Sequence, residues 1–161
     1  MTVSLNRTLV RVAAGWITLT LACLLTLGVP DHARAADTVQ PIRFARGASS
    51  AEVSGAVIRG ERALYSVAAR AGQHMSLRLS AVEDNAAVQI YEPGAKLERS
   101  KDGLEVAGKA LPGAGEGDDA TRWAGTLPET GTYLLVIGPT RGNATYHLTI
   151  AITSNHHGAN Q

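Results

Sequence analysis

Two stretches of this chain place large apolar residues at every second position, and that alternation restricts the folds open to it. In His74-Met75-Ser76-Leu77-Arg78-Leu79-Ser80, the apolar Met75, Leu77 and Leu79 take every second place. Tyr146, Leu148, Ile150 and Ile152 alternate in the same way with His147, Thr149 and Ala151. Successive side chains of a β-strand point to opposite faces, so a period of two describes strands half buried against a core. A helix would instead bring every third or fourth residue to one face.

Further strands are expected at Ile42–Arg46, Val53–Ile58, Ala63–Ala69, Ala87–Tyr91, Arg122–Leu127 and Tyr133–Ile137. The residues between them are turn formers: Ala71-Gly72-Gln73, Glu92-Pro93-Gly94 and Glu129-Thr130-Gly131-Thr132. Glycine reaches positive φ without a steric penalty, and proline presets φ for a turn while removing a pairing donor. About eight short strands at this spacing, with no long amphipathic helix, predict an all-β fold: one antiparallel β-sandwich, jelly-roll-like in its connections. The predicted core is Val57, Met75, Leu77, Leu79, Val88, Ile90, Leu135, Ile137, Leu148 and Ile150. Residues 95–120 break the pattern with glycine, alanine and charge, and read as a long flexible loop, disordered by preference. Leu97, Leu104 and Val106 leave room there for one weak extra strand.

The first 35 residues are read as a secretory signal rather than as part of the fold. Arg7 and Arg11 precede an apolar run from Val12 to Val29, and Ala33-Arg34-Ala35 supplies the small residues of a cleavage site. Cleavage after Ala35 leaves Ala36 first and places the product in the periplasm or outside the cell. Two other readings stay open: an uncleaved membrane anchor, since the run is about long enough to span a bilayer, and a lipoprotein modified at Cys23. The expected organisation is therefore a signal peptide at 1–35, a β-sandwich domain at 36–153 and a polar tail at 154–161.

Removing Arg7, Arg11 and Arg34 from the fifteen basic residues, and Asp31 from the fourteen acidic ones, leaves twelve against thirteen. A near-neutral domain with no basic patch gives nucleic acid nothing to bind. Cys23 is the sole cysteine and leaves with the signal, so the domain depends on packing rather than on disulfides.

No catalytic pattern emerges. Ser49, Ser50 and Ser54 lack a nucleophile-elbow context. The glycine-rich Gly113–Gly117 is not followed by the helix that a phosphate cradle needs. His74 and His147 fall on outward faces of strands, and His156-His157 lies in the tail. The acidic turns at Glu83-Asp84-Asn85 and Glu116–Asp119 read as solvated charge, with a calcium site built from both as the alternative. Neither a cofactor nor a metal is expected, and the chain reads as a binding protein rather than an enzyme.

The stretch Ile42-Arg43-Phe44-Ala45-Arg46-Gly47-Ala48-Ser49-Ser50-Ala51-Glu52-Val53-Ser54-Gly55 resembles the opening of the periplasmic inhibitors of g-type lysozyme. The similarity continues through Gly60, Tyr65, Ala69, Ala71-Gly72-Gln73, Leu127-Pro128, Gly131 and Tyr133. It ends on Thr140-Arg141 and the strand Tyr146-His147-Leu148-Thr149-Ile150. The same frame is similar to the wider pre-peptidase C-terminal β-sandwich domains.

The resemblance implies a protein partner, a g-type lysozyme, whose active cleft would be occluded by a loop. Thr140, Arg141, Gly142 and Asn143 are then the expected contacts, with Ser49 and Ser50 from the family's opening motif. Arg141 would offer its planar fork to an acidic cleft. Two positions depart from the family: the loop after Arg141 is short, and Glu61 stands where a tyrosine is usual. The alternative is an exported binding module for a glycan or an envelope protein, with Tyr91, Arg122 or Trp123 facing outward to stack on sugar.

Overall fold

The alternating stretches become strands whose bounds follow the turn residues. A computed structural model describes residues 38–101 and 103–154. Among these the strands are β1 (Gln40–Pro41), β2 (Ser50–Val57), β3 (Ala63–Ala69), β4 (His74–Ala81) and β5 (Ala86–Tyr91). They continue with β6 (Lys96–Ser100), β7 (Gly103–Ala107), β8 (Arg122–Thr126), β9 (Gly131–Pro139) and β10 (Ala144–Thr153). The described residues contain no helix.

Two four-stranded sheets face each other. One has the order β1-β3-β9-β5 and the other β2-β10-β4-β8, while β6 and β7 form a separate hairpin. All pairings are antiparallel except the short one between β1 and β3. The all-β sandwich expected from the sequence is therefore the observed fold. Leu148 on β10 stands between Val53 on β2 and Leu79 on β4, so the apolar phases of three strands coincide on one face. Every residue of the predicted core is buried. A one-residue slip would turn that whole set toward water, and this fixes the register.

Residues 42–46 are not a strand. Ile42 extends the pairing by one hydrogen bond to the Ser66 carbonyl, 2.8 Å, and buries its side chain. The chain must then cross from the sheet holding β1 to the sheet holding β2, turning at Gly47 with φ 80°. A crossing backbone cannot stay paired with either sheet.

The expected long loop at 95–120 is the larger correction. Leu97, Leu104 and Val106 ride on the β6–β7 hairpin and pack over the outer face of the first sheet, against Leu64, Tyr91, Leu134 and Val136. This second apolar cluster explains why β9 is buried without interruption from Tyr133 to Ile137: both of its faces are covered. Beyond the hairpin, Leu111 and Ala114 are buried, and the segment runs along the free edge of β5. Leu111 donates to the Ile90 carbonyl, Ile90 to that of Ala114 and Val88 to that of Ala120, each at 2.8 Å. An open edge strand is thereby closed. Glu92, buried to 5% exposure, pairs with Lys109 at 2.8 Å and pins the start of this segment. The Glu92 carboxylate in turn holds the Lys109 ammonium above its ordinary pKa.

Candidate functional site

Three loops meet at one end of the sandwich: β2–β3 (residues 58–62), β4–β5 (82–85) and β9–β10 (140–143). The β9–β10 loop carries the chain from one sheet to the other in four residues, with Gly142 at φ 61° making the turn. So tight a crossover leaves carbonyls pointing inward without strand partners. Asn85 supplies the donors. It is 4% exposed, and its side-chain Nδ2 donates to the carbonyls of Asn143 at 2.6 Å and Arg141 at 3.3 Å. Its backbone carbonyl accepts from the Thr140 N–H at 2.8 Å. The Asn85 Oδ1 is buried without a partner among the described residues. Asn143 closes the third side by accepting, through its Oδ1, a hydrogen bond from the Arg59 N–H at 3.0 Å.

The clamped loop exposes Arg141. One guanidinium nitrogen, Nη2, donates to the Glu83 carbonyl at 2.7 Å, and the rest of the group faces solvent. A guanidinium has five N–H donors in a rigid fork. With one bond fixing its direction, the others stay available to a partner. The two adjoining loops carry Ile58, 50% exposed, and Val82, 86% exposed, the large hydrophobic side chains left open to water among the described residues. Asp84 turns the β4–β5 loop with φ 50°, a left-handed conformation that aspartate tolerates better than most side chains.

The structure thus gathers Thr140, Arg141, Gly142 and Asn143 at one end, and brings in Ile58, Val82, Glu83 and Asn85, which the sequence does not place with that loop. The signal for two of them lies in the phase. The apolar residues of β4 are odd-numbered and Val82 is even; Val57 faces in and Ile58 falls out of step. Asn85, expected from the sequence to be part of a solvated turn or a calcium site, is the buried clamp of the loop.

Ser49 and Ser50 do not join this site. Ser50 pairs with Ala151 while Val57, at the loop end of the same strand, pairs with Ala144. Seven residue steps along the strand separate the two ends, about 23 Å. Of the residues expected to stack on sugar, Tyr91 is 6% exposed in the second apolar cluster. Trp123 is half-buried against the core, its indole N–H donating to the Pro112 carbonyl at 2.9 Å. Only Arg122 is exposed. His156 and His157 lie outside the described residues. Among the described residues, no three acidic, histidine or cysteine side chains converge as metal ligands, and no helix is long and apolar enough to cross a membrane.

No family model and no curated protein matches the chain. Solved structures do. One is PliG from Aeromonas hydrophila, a periplasmic lysozyme inhibitor of g-type lysozyme. It is 26% identical, with a TM-score of 0.55 over 72% of this chain and 96% of that one. This chain has the fold of PliG. A second match is PliG from Salmonella Typhimurium, 22% identical with a TM-score of 0.50, covering 72% of this chain and all of that one. The likeness to the PliG proteins thus extends over nearly their whole length, in agreement with the family resemblance carried by the sequence motifs.

Proposed function

We propose that this chain is a periplasmic inhibitor of a g-type lysozyme, exported by cleavage after Ala35, and that it blocks the active cleft with the β9–β10 loop rather than acting as an enzyme. The observation that carries this reading is Arg141, steered outward by the Glu83 carbonyl on a loop clamped by Asn85, with Ile58 and Val82 exposed on the adjoining loops. A loop already fixed in one conformation avoids part of the ordering cost of binding. Flanking apolar side chains exclude water from a charge pair at the centre of a contact. Clefts that cleave glycosidic bonds commonly carry carboxylates, and an arginine meets a carboxylate with charge-assisted, often bidentate, hydrogen bonds. Likeness to the PliG fold supports the same reading.

The test is inhibition of lysis by a g-type lysozyme, together with a direct binding measurement. Truncating one side of a buried charge pair typically costs about 2–5 kcal/mol. Arg141→Ala is therefore expected to weaken binding by at least tenfold with little change in melting temperature. Arg78→Ala, on the outer face of β4 away from the loop end, is the control and should bind like the unaltered protein. If Arg141→Ala is silent, the role of Arg141 is withdrawn. If the unaltered protein binds no g-type lysozyme at micromolar concentration, the inhibitor reading is withdrawn.

A further inference from the structure

A groove runs over the outer face of the first sheet from the β6–β7 hairpin to the β9–β10 loop. Two cavities, about 230 Å³ and about 190 Å³, share Arg62, Gln89 and Glu116 as walls and so form one depression. At the hairpin end it is walled by Glu105 and Val106; at the other it reaches Asp119, Gly138 and Thr140. Thr140 is the first residue of the Arg141 loop, so the groove opens directly onto the site described above.

The polar groups in the groove are not used up by the fold. Arg62 is half-buried yet makes no hydrogen bond or ion pair with the described residues. Its Nη1 lies where a Cβ at residue 138 would come within 3.2 Å, so Gly138 lets the guanidinium rest against β9. Gln89 accepts from the Tyr91 hydroxyl through its Oε1 at 3.0 Å, which leaves its amide N–H groups to donate. Glu116 and Asp119 are exposed and without a partner among the described residues, whereas Glu105 accepts from Ser100 at 3.0 Å. Asp119 is held at φ 45°.

We propose that this groove receives an extended segment of the partner protein carrying a basic side chain, an inference that rests on the inhibitor reading and adds a second contact to it. Arg62 and Gln89 would donate to the segment's backbone carbonyls, and Glu116 and Asp119 would pair with its lysine or arginine. Three carboxylates against one guanidinium make the groove acidic, which selects a basic occupant. A saccharide is disfavoured because the aromatic side chain of the lining, Tyr91, is 6% exposed and offers no face for stacking. The complementary partner surface thus has an acidic cleft for Arg141 and a basic segment beside it.

The decisive variant is the double substitution Glu116→Gln and Asp119→Asn. It keeps the shape of both side chains, and asparagine tolerates the left-handed backbone at 119. Binding to an immobilised g-type lysozyme is measured at low and high salt, beside Arg141→Ala and the unaltered protein. The double variant should bind at least tenfold more weakly at low salt, the deficit should shrink as salt screens the pairs, and its melting temperature should stay unchanged. If it binds like the unaltered protein while Arg141→Ala does not, the groove proposal is overturned and the inhibitor reading stands. If soluble peptidoglycan fragments shift the backbone amide resonances of Gln89 and Gly138, the groove takes a saccharide and the proposal is likewise overturned. An unaltered protein that binds no g-type lysozyme removes both.

Discussion

The hydroxyls of Tyr65, on β3, and Tyr146, on β10, meet at 2.7 Å between the two sheets, one donating to the other, with both side chains buried. The Tyr146 ring lies against Gly55 of the neighbouring strand, where a Cβ would come within 2.5 Å of its hydroxyl. The glycine supplies space here, not an unusual backbone angle. Tyr133 closes a second polar account inside the core: its hydroxyl donates to the Glu129 carbonyl at 2.8 Å and accepts from the Glu129 N–H at 3.1 Å, a tyrosine corner. Around these polar contacts the core is aliphatic, and Leu77 and Leu148 are 3% and 0% exposed. Removing three buried carbons loses their transfer energy and leaves a void that packed sheets cannot close. Leu77→Ala and Leu148→Ala should each destabilise the protein by about 2–5 kcal/mol. Urea or thermal unfolding measures this, and a loss below about 0.5 kcal/mol at both would place them on the solvent face.

The β4–β5 turn acts on the β9–β10 loop through Asn85, whose amide nitrogen holds two of its carbonyls. Asn85→Ala removes both donors and leaves those carbonyls inside without partners. The expected stability loss is about 1–3 kcal/mol, the usual cost of buried polar groups left unpaired. Lysozyme binding should fall by more than the folded fraction explains, because the Arg141 loop loses its fixed conformation. Titrating the variant well below its melting temperature separates the two effects. Unchanged affinity there would mean that the loop is rigid without its clamp. The segment from Gly108 to Thr121 works differently, holding to β5 by backbone hydrogen bonds with Leu111 and Ala114 as its anchors. With Ala120 as a further buried anchor, most of its glycines and charges, from Gly115 to Asp119, fall between anchors, which is why composition suggested a loop with no fixed place.

At the scale of the whole molecule, Tyr91, Tyr133 and Tyr146 all have hydroxyl pKa values raised above the ordinary tyrosine range, with burial the first cause in each case. For Tyr146 the hydrogen bond to Tyr65 adds to it; for Tyr91 the charge of Glu116 adds, while Arg62 works the other way. Folding therefore favours the neutral phenols. Their contribution to stability is complete below the unfolded tyrosine pKa of about 10 and is lost as pH rises through the folded values. Melting temperatures should hold from neutral pH to about pH 9 and fall steeply above about pH 10. Tyr146→Phe, although less stable at neutral pH for leaving the Tyr65 hydroxyl unpaired, should show a shallower alkaline fall. An equally steep fall would assign the effect to other groups.

The sequence determined the strands, their faces and the core, because alternation of side chains is a local property that burial converts directly into a fold. It also located the Thr140–Asn143 loop, whose glycine and flanking strands are local as well. Tertiary structure alone decided the rest. Strand pairing put Ser49 and Ser50 at the end opposite Arg141, although their motif belongs to the same resemblance. Side-chain hydrogen bonding made Asn85 a clamp, which no spacing between residues 85 and 141 could announce. Packing of a hairpin over the outer face turned Tyr91 from a supposed surface aromatic into a buried one. A strand's pattern says which of its faces is apolar but not how many layers cover it. That number is fixed only when distant parts of the chain, here the β6–β7 hairpin and β9, come to lie against each other.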